Sequence, residues 1–247
     1  MLLEKGLFSI FYFCFLSVKL IYIFSRPLRN YPRRDKEVMD FSHILNKSKL
    51  DDLARIWLDE DCPSFDLQSL IIGKTYVRAS IKCKENALLA GYPFVEAILR
   101  RLNCKPPTWI YEEGVYLHEP ADENAKVVST IVAPADEILL AERTLLNVLS
   151  RCSGVATAVH NVRTALSWSG WTGQVVGSRK TTPGFRLVEK YGLLCGGGGT
   201  HRMDISQMVM LKDNHIKAAG NGKLTELIQK VYFFFFVYFF FKFLILS

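Results

Sequence analysis

Two short apolar runs, Gln174 to Gly177 and Gln207 to Leu211, are each followed at once by positive charge, Arg179-Lys180 in the first case and Lys212 in the second. This pairing restricts the possible folds more than any other stretch. Short continuous apolar runs of this kind read as buried parallel strands. In α/β folds, ligands sit in the crevice outside the carboxyl ends of such strands. Cations in those positions are expected to meet in one pocket. Between the runs come a short Leu/Val helix ending at Leu194 and the segment Cys195-Gly-Gly-Gly-Gly-Thr-His-Arg-Met-Asp204. From 179 to 217 seven basic residues stand against three acidic ones, a local net of +4, with His201 and His215 besides.

The net charge of the whole chain, +7, has to be read against that local excess. Residues 39 to 178 hold fourteen basic and seventeen acidic side chains, so the body of the protein is mildly acidic. The charge belongs to a site and to the chain ends, and no nucleic-acid partner is expected. The six cysteines include no Cys-x-x-Cys pair and no zinc-finger spacing, which points to free, buried thiols in a reducing compartment and to no structural metal. No serine or cysteine stands at a recognisable spacing from a base, so no catalytic nucleophile is assigned.

Residues 7 to 24 are apolar apart from Ser and Lys19, and five basic residues between Arg26 and Lys36 follow them. The stretch is just long enough for a membrane span, which takes ~20 residues. The other reading is that residues 1 to 38 are an extension foreign to the native protein. From Met39 the pattern is orderly. Ser48 to Asp51 has the outline of a capping box, and Leu50, Leu53, Ala54, Trp57 and Leu58 share one helical face that Asp61-Cys-Pro63 ends. Thr75 to Lys82, Trp109 to Tyr111 and Lys126 to Val132 read as strands, and Phe94 to Leu102 as a helix entered from Tyr92-Pro93. Pro134 opens a long helical region, Ala135 to about Trp168, with Asp136 and Glu137 in its first turn; Ser153-Gly154 is expected to break it. A further helix starts between Gly220 and Lys230. Beyond it, ten of the last 17 residues are aromatic, with neither helical nor strand periodicity.

Three motifs in order, Gly177-Ser-Arg-Lys-Thr-Thr-Pro-Gly-Phe-Arg186, the glycine-rich loop ending Thr200-His-Arg202, and Lys212-Asp-Asn-His215, resemble the quinolinate phosphoribosyltransferase family. The resemblance runs from about Met39 to about Gly222, with Ser178 where the family usually has Thr. It implies an α+β N-terminal domain followed by an α/β (β/α) barrel. About 86 residues separate Leu145 from the aromatic run, whereas a barrel takes roughly 200. The expected organisation is therefore an extension at 1–38, the α+β domain at 39–144, a partial phosphoribosyltransferase barrel at 145–230 and an aromatic tail at 231–247.

The resemblance also implies the chemistry: transfer of a phosphoribosyl group from phosphoribosyl pyrophosphate to quinolinate, with loss of carbon dioxide, in NAD biosynthesis. It implies a cytoplasmic homodimer or higher oligomer with shared active sites, and magnesium carried with the donor. Arg179 and Arg202, joined by Arg143 of a second subunit, would clamp the two carboxylates, with Lys180, Thr181, His201 and Lys212 completing the lining. The family's acidic catalytic residues have no counterpart here, so the alternative is an inactive fragment that binds dicarboxylates or pairs with full-length subunits. Read alone, Arg186 and Lys190 are solvated helix charges, glycines 196 to 199 a flexible turn, and His43, His118 and His160 surface residues.

Overall fold

The computed structural model describes residues 7–8, 21–24, 41–67, 69–118, 126–219 and 224–246. Two compact units make up the chain, Met1–His201 and Arg202–Ser247. The basic flank at 26–36 and Cys14 lie outside the described residues. Of the apolar stretch 7–24, read as long enough for a membrane span, only strands β1 (Leu7–Phe8) and β2 (Ile21–Phe24) are described, and residues 9–20 lie outside the described residues. Among the described residues no helix is long and apolar enough to cross a membrane.

Helix α1 (Lys47–Asp61) buries Leu50, Ala54, Trp57 and Leu58, the face expected from their spacing. Its cap is Asn46 rather than Ser48: Asn46 is extended and its Oδ1 accepts the Lys49 N–H at 3.2 Å. Ser48 already lies inside the helix, where its hydroxyl cannot serve the first free N–H groups. A short α2 (Ser69–Ile72) leads into β3 (Tyr76–Cys83). Next come β4 (Ala87–Leu88), α3 (Tyr92–Arg101), β5 (Thr108–Trp109), β6 (Tyr116–Leu117) and β7 (Lys126–Pro134). Strand β7 is central, antiparallel to β3 on one edge and to β5 on the other; β4 pairs with β6 in a separate two-stranded ladder.

Gly91 precedes α3 at φ +110, and a Cβ there would lie 2.9 Å from Cys152 Cβ, so a glycine is required for both reasons. The helix behind it is core: Phe94, Val95, Ala97, Ile98 and Leu99 are fully buried. Phe94 sets its ring edge-on to Trp57 at 6.1 Å and to Tyr191 at 5.4 Å, which ties α1 and α3 to a residue almost a hundred positions away.

Helix α4 (Ala135–Trp168) runs unbroken for 34 residues, against the expected break. The Ser153 hydroxyl accepts the Ala90 N–H at 3.1 Å and donates to the Ala90 carbonyl at 3.0 Å, while Gly154 faces open space. One glycine costs a helix only ~1 kcal/mol, less than the packing of α3 and its neighbours on α4 supplies.

Strand β8 (Gln174–Gly177) buries Val175 and Val176, and α5 (Arg186–Cys195) follows it. On one edge β8 is antiparallel to β2; on the other, Val176 bridges Gly199 in parallel. The second parallel segment is thus at Gly199, not at 207–211. Gln207, Met208 and Val209 are exposed and in no strand, because apolar composition makes a strand only where a pairing partner exists. In the second unit, α6 (Asp213–Ala218) precedes α7 (Leu224–Leu246), which continues through the aromatic run. No proline or glycine interrupts residues 224 to 246, so the i to i−4 ladder propagates without amphipathic periodicity.

Among the described residues Cys62, Cys83, Cys104, Cys152 and Cys195 form no disulfide, and of these five Cys152 alone is buried. His43 and His118 are exposed as expected. His160 is half-buried and stacks on Tyr116 at 4.8 Å; burial and the Arg163 charge lower its pKa.

Candidate anion site

Gly177 ends β8, and the backbone turns at once through Ser178 to Thr182 before α5 begins. The turn is tightly bonded. Ser178 Oγ accepts the Lys180 N–H at 3.1 Å, and the Thr181 N–H reaches the Arg179 carbonyl at 2.9 Å. Thr182 donates its N–H and hydroxyl to the two carboxylate oxygens of Glu189, at 3.2 and 2.7 Å. Arg186 is half-buried, and its Nε donates to Thr181 Oγ1 at 3.0 Å. It is therefore a brace of the turn, not the solvated charge expected.

Beside this turn the Gly199 N–H donates to the Val175 carbonyl at 2.9 Å and the Gly177 N–H to the Gly199 carbonyl at 2.8 Å. That parallel pairing brings Thr200 and His201 level with the end of β8. His201 is half-buried at φ +56, a left-handed backbone that a residue other than glycine adopts at a cost of order 1 kcal/mol or more. The glycines before it are packing residues rather than a free turn. A Cβ on Gly192 would lie 2.6 Å from the Cys152 carbonyl oxygen, and one on Gly196 2.5 Å from that of Ala156, so their absence lets α5 lie directly on α4.

Four of the expected residues, Arg179, Lys180, Thr181 and His201, therefore follow the carboxyl ends of two adjacent parallel segments. Lys180 is exposed. Arg179 is half-buried, and its Nε is a buried nitrogen with no hydrogen-bond partner among the described residues. Arg143 stands apart, exposed on α4, with no hydrogen bond or ion pair to the turn among the described residues. In the second unit Arg202 is buried, with Nη1 donating to the Met208 carbonyl at 3.0 Å and Nη2 3.8 Å from Met210 Sδ. Lys212 is exposed, and its backbone N–H donates to His215 Nδ1 at 3.0 Å.

Two residues that sequence reasoning assigned no role lie beneath the turn. Lys190 is 0% exposed, not solvated, and its Nζ donates to the Gly177 carbonyl at 3.4 Å and to the Thr200 carbonyl. Burial first, then the Arg186 charge, lowers its pKa to about 8. Glu189 is also buried, with Arg151 Nη1 3.7 Å from its carboxylate. A signal was present: Leu187, Val188, Tyr191, Gly192, Leu193, Leu194 and Cys195 surround α5 with apolar positions. A helix apolar all round is buried, so its lone Glu-Lys pair is buried with it. Among the described residues no group of three His, Cys, Asp or Glu could hold a metal ion.

The comparisons with known proteins follow this division of the chain. A family model for the N-terminal domain of quinolinate phosphoribosyl transferase matches residues 65–153, and one for the C-terminal domain matches residues 155–233. Nicotinate-nucleotide pyrophosphorylase (carboxylating) of Rattus norvegicus is 44% identical over 187 residues, covering 76% of this chain and 60% of that protein. The Homo sapiens protein of the same name is 48% identical over 168 residues, 68% of this chain and 54% of that one. The chain thus spans little more than half the length of these relatives. Among solved structures, NadC from Streptococcus pyogenes superposes with a TM-score of 0.65 at 30% identity over 76% of this chain and 65% of that one. The nicotinate-nucleotide pyrophosphorylase of Francisella tularensis gives 0.64 at 27%, over 73% and 62%. With both domain models matched in succession and the motif turn standing at the end of β8, the chain belongs to the quinolinate phosphoribosyl transferase family.

Proposed function

We propose that the chain binds quinolinate and phosphoribosyl pyrophosphate and serves the transfer that yields nicotinate mononucleotide, pyrophosphate and carbon dioxide. The unpartnered, buried Nε of Arg179 carries the reading, because a buried donor left without an acceptor costs ~1–3 kcal/mol unless a ligand supplies one. A carboxylate is the acceptor that a guanidinium takes with two parallel bonds. Lys180 and His201 stand at the same strand ends, and Thr181, bonded to the Arg179 carbonyl and to Arg186, fixes the turn that carries them. The family resemblance adds Arg202 and Lys212, and Arg143 from a second subunit.

In the reaction the pyridine nitrogen bonds to the anomeric carbon as that carbon's bond to pyrophosphate breaks, and the pair leaves with the pyrophosphate. The nitrogen is then cationic. The neighbouring carboxylate departs as carbon dioxide, its bond pair stays on the ring carbon beside the charge, and a proton from solvent takes it up. The protein's part is to hold the reactants together and to stabilise charge. Calorimetric titration tests the reading. Quinolinate is expected to bind at least about tenfold more tightly than nicotinate, which lacks one carboxylate and so one charged hydrogen-bond set. Equal binding of the two would remove the dianion assignment.

The assembly we propose is a homodimer in the cytoplasm. Phe65 and Leu67 before α2, Leu70 and Ile71 on it and Tyr76 at the start of edge strand β3 are all more than 65% exposed, large apolar side chains of the kind that a subunit contact covers. Five cysteines with no disulfide among the described residues suit a reducing compartment. Sedimentation equilibrium is expected to give twice the chain mass for the wild type and to shift toward monomer for Ile71→Glu. A wild-type monomer at micromolar concentration would exclude the dimer.

A further inference from the structure

Lys190 and Glu189 are neighbours on the first turns of α5, both buried, and their side chains reach opposite ends of one turn. Lys190 donates to the Gly177 carbonyl, where β8 stops and the turn begins. Glu189 accepts both donors of Thr182, where the turn finishes. The residues between these anchors are Ser178, Arg179, Lys180 and Thr181. Lys190 makes a second bond, to the Thr200 carbonyl. That oxygen belongs to the peptide plane shared with the His201 N–H, and holding it restricts the rotation that sets the left-handed φ of +56 at His201.

We propose that Lys190 is a positioning residue, one buried ammonium that ties the ends of two parallel segments together and so sets the distance and orientation between the Arg179-Lys180 turn and His201. The inference rests on the reading of this site as the receptor for quinolinate. Three features of the residue support it beyond the two bonds. An ammonium with no exposure is costly to keep, and an apolar side chain of similar length would pack α5 as well without that cost. Its lowered pKa shows the cost is borne by the folded state. The charge that adds to the effect of burial is Arg186, also positive, and among the described residues Lys190 forms no ion pair, so the two carbonyl oxygens are what hold it.

The experiment compares the full-length wild type with Lys190→Met, which fills the space without donating, and Lys190→Gln, which keeps a donor without charge. Quinolinate affinity is measured by calorimetry under conditions where circular dichroism shows each protein folded. Stability is measured by urea unfolding at pH 7 and at pH 10. Quinolinate affinity is expected to fall about tenfold or more in Lys190→Met and to be partly restored in Lys190→Gln. The amide signals of Arg179 and His201 are expected to shift in Lys190→Met without ligand. The unfolded chain binds a proton that the folded chain has lost between pH 8 and the ordinary lysine value. Stability of the wild type should therefore rise relative to Lys190→Met as pH increases through that window. Affinity within twofold of wild type, with only stability changed, would overturn the proposal and leave Lys190 a packing residue. If Lys190→Met does not fold, the Gln variant decides by the same threshold. Failure of the wild type to bind quinolinate would instead sink the functional reading on which the proposal rests.

Discussion

Arg179→Met should weaken quinolinate binding by about 10- to 150-fold, the worth of a hydrogen bond to a charged group, and should leave the folded protein as stable as before or more so by about 1 kcal/mol. The two effects have one cause. The buried Nε has no acceptor among the described residues, so in the free protein the guanidinium is a group whose desolvation nothing offsets. Methionine fills comparable volume with no polar atom and removes that penalty. Such an opposition of stability and affinity is the signature of a residue held for a ligand, and no residue kept for packing gives it. Calorimetry for affinity and urea unfolding for stability decide the matter together: a variant that is destabilised by more than 1 kcal/mol while binding quinolinate normally would make Arg179 structural.

Glu113→Ala is expected to cost about 3–5 kcal/mol of stability, the largest single loss among the polar substitutions considered. One oxygen of Glu113 accepts the N–H groups of Gly91 and Tyr92, the latter at 2.9 Å, and the other accepts the Tyr191 hydroxyl. Removing the carboxylate orphans three donors at once. Burial first, with the Glu113 charge next, pushes both the Tyr92 and Tyr191 phenols up, so both remain neutral donors across the physiological range. Glu113→Gln keeps an acceptor for the two N–H groups, and its amide can donate to Tyr191 in exchange. It should cost only about 1 kcal/mol. Glu113 lies in the stretch that matches the N-terminal domain and Tyr191 in the stretch that matches the C-terminal domain. The loss should therefore appear as one cooperative transition at lower urea. An early transition confined to residues before 153, followed by unchanged unfolding of the rest, would show that the bond does not couple the two.

Wherever local pattern sufficed, reading the chain in order was enough. The apolar face of α1, the Tyr92-Pro93 entry to α3, strands β3 and β7, and β8 with its trailing Arg179-Lys180 all follow from periodicity, turn residues and the placing of charge. Those features depend on residues within one or two turns of each other. The family motifs are equally local, and for that reason Arg179, Lys180, Thr181, His201, Arg202 and Lys212, with Arg143 of a second subunit, could be named as a set before any coordinate.

Other features depended on what lies across space. Whether 207–211 becomes a strand depends on a partner strand that no nearby residue specifies. Whether α4 breaks at Ser153-Gly154 depends on the Ala90 backbone that Ser153 grips, more than sixty residues earlier. The helix cap passed from Ser48 to Asn46 because the first helical residue is set by the path of the chain into α1. Lys190 makes the contrast sharpest. By composition a lysine on a helix is a surface charge, and by packing this one is the buried link between two strand ends. Sequence determined which groups could bind an anion, since charge and hydrogen-bonding capacity are properties of the residue itself. Tertiary structure alone decided which of those groups are desolvated: it buries the Arg179 Nε with no acceptor among the described residues and sets the Lys190 ammonium against two backbone carbonyls.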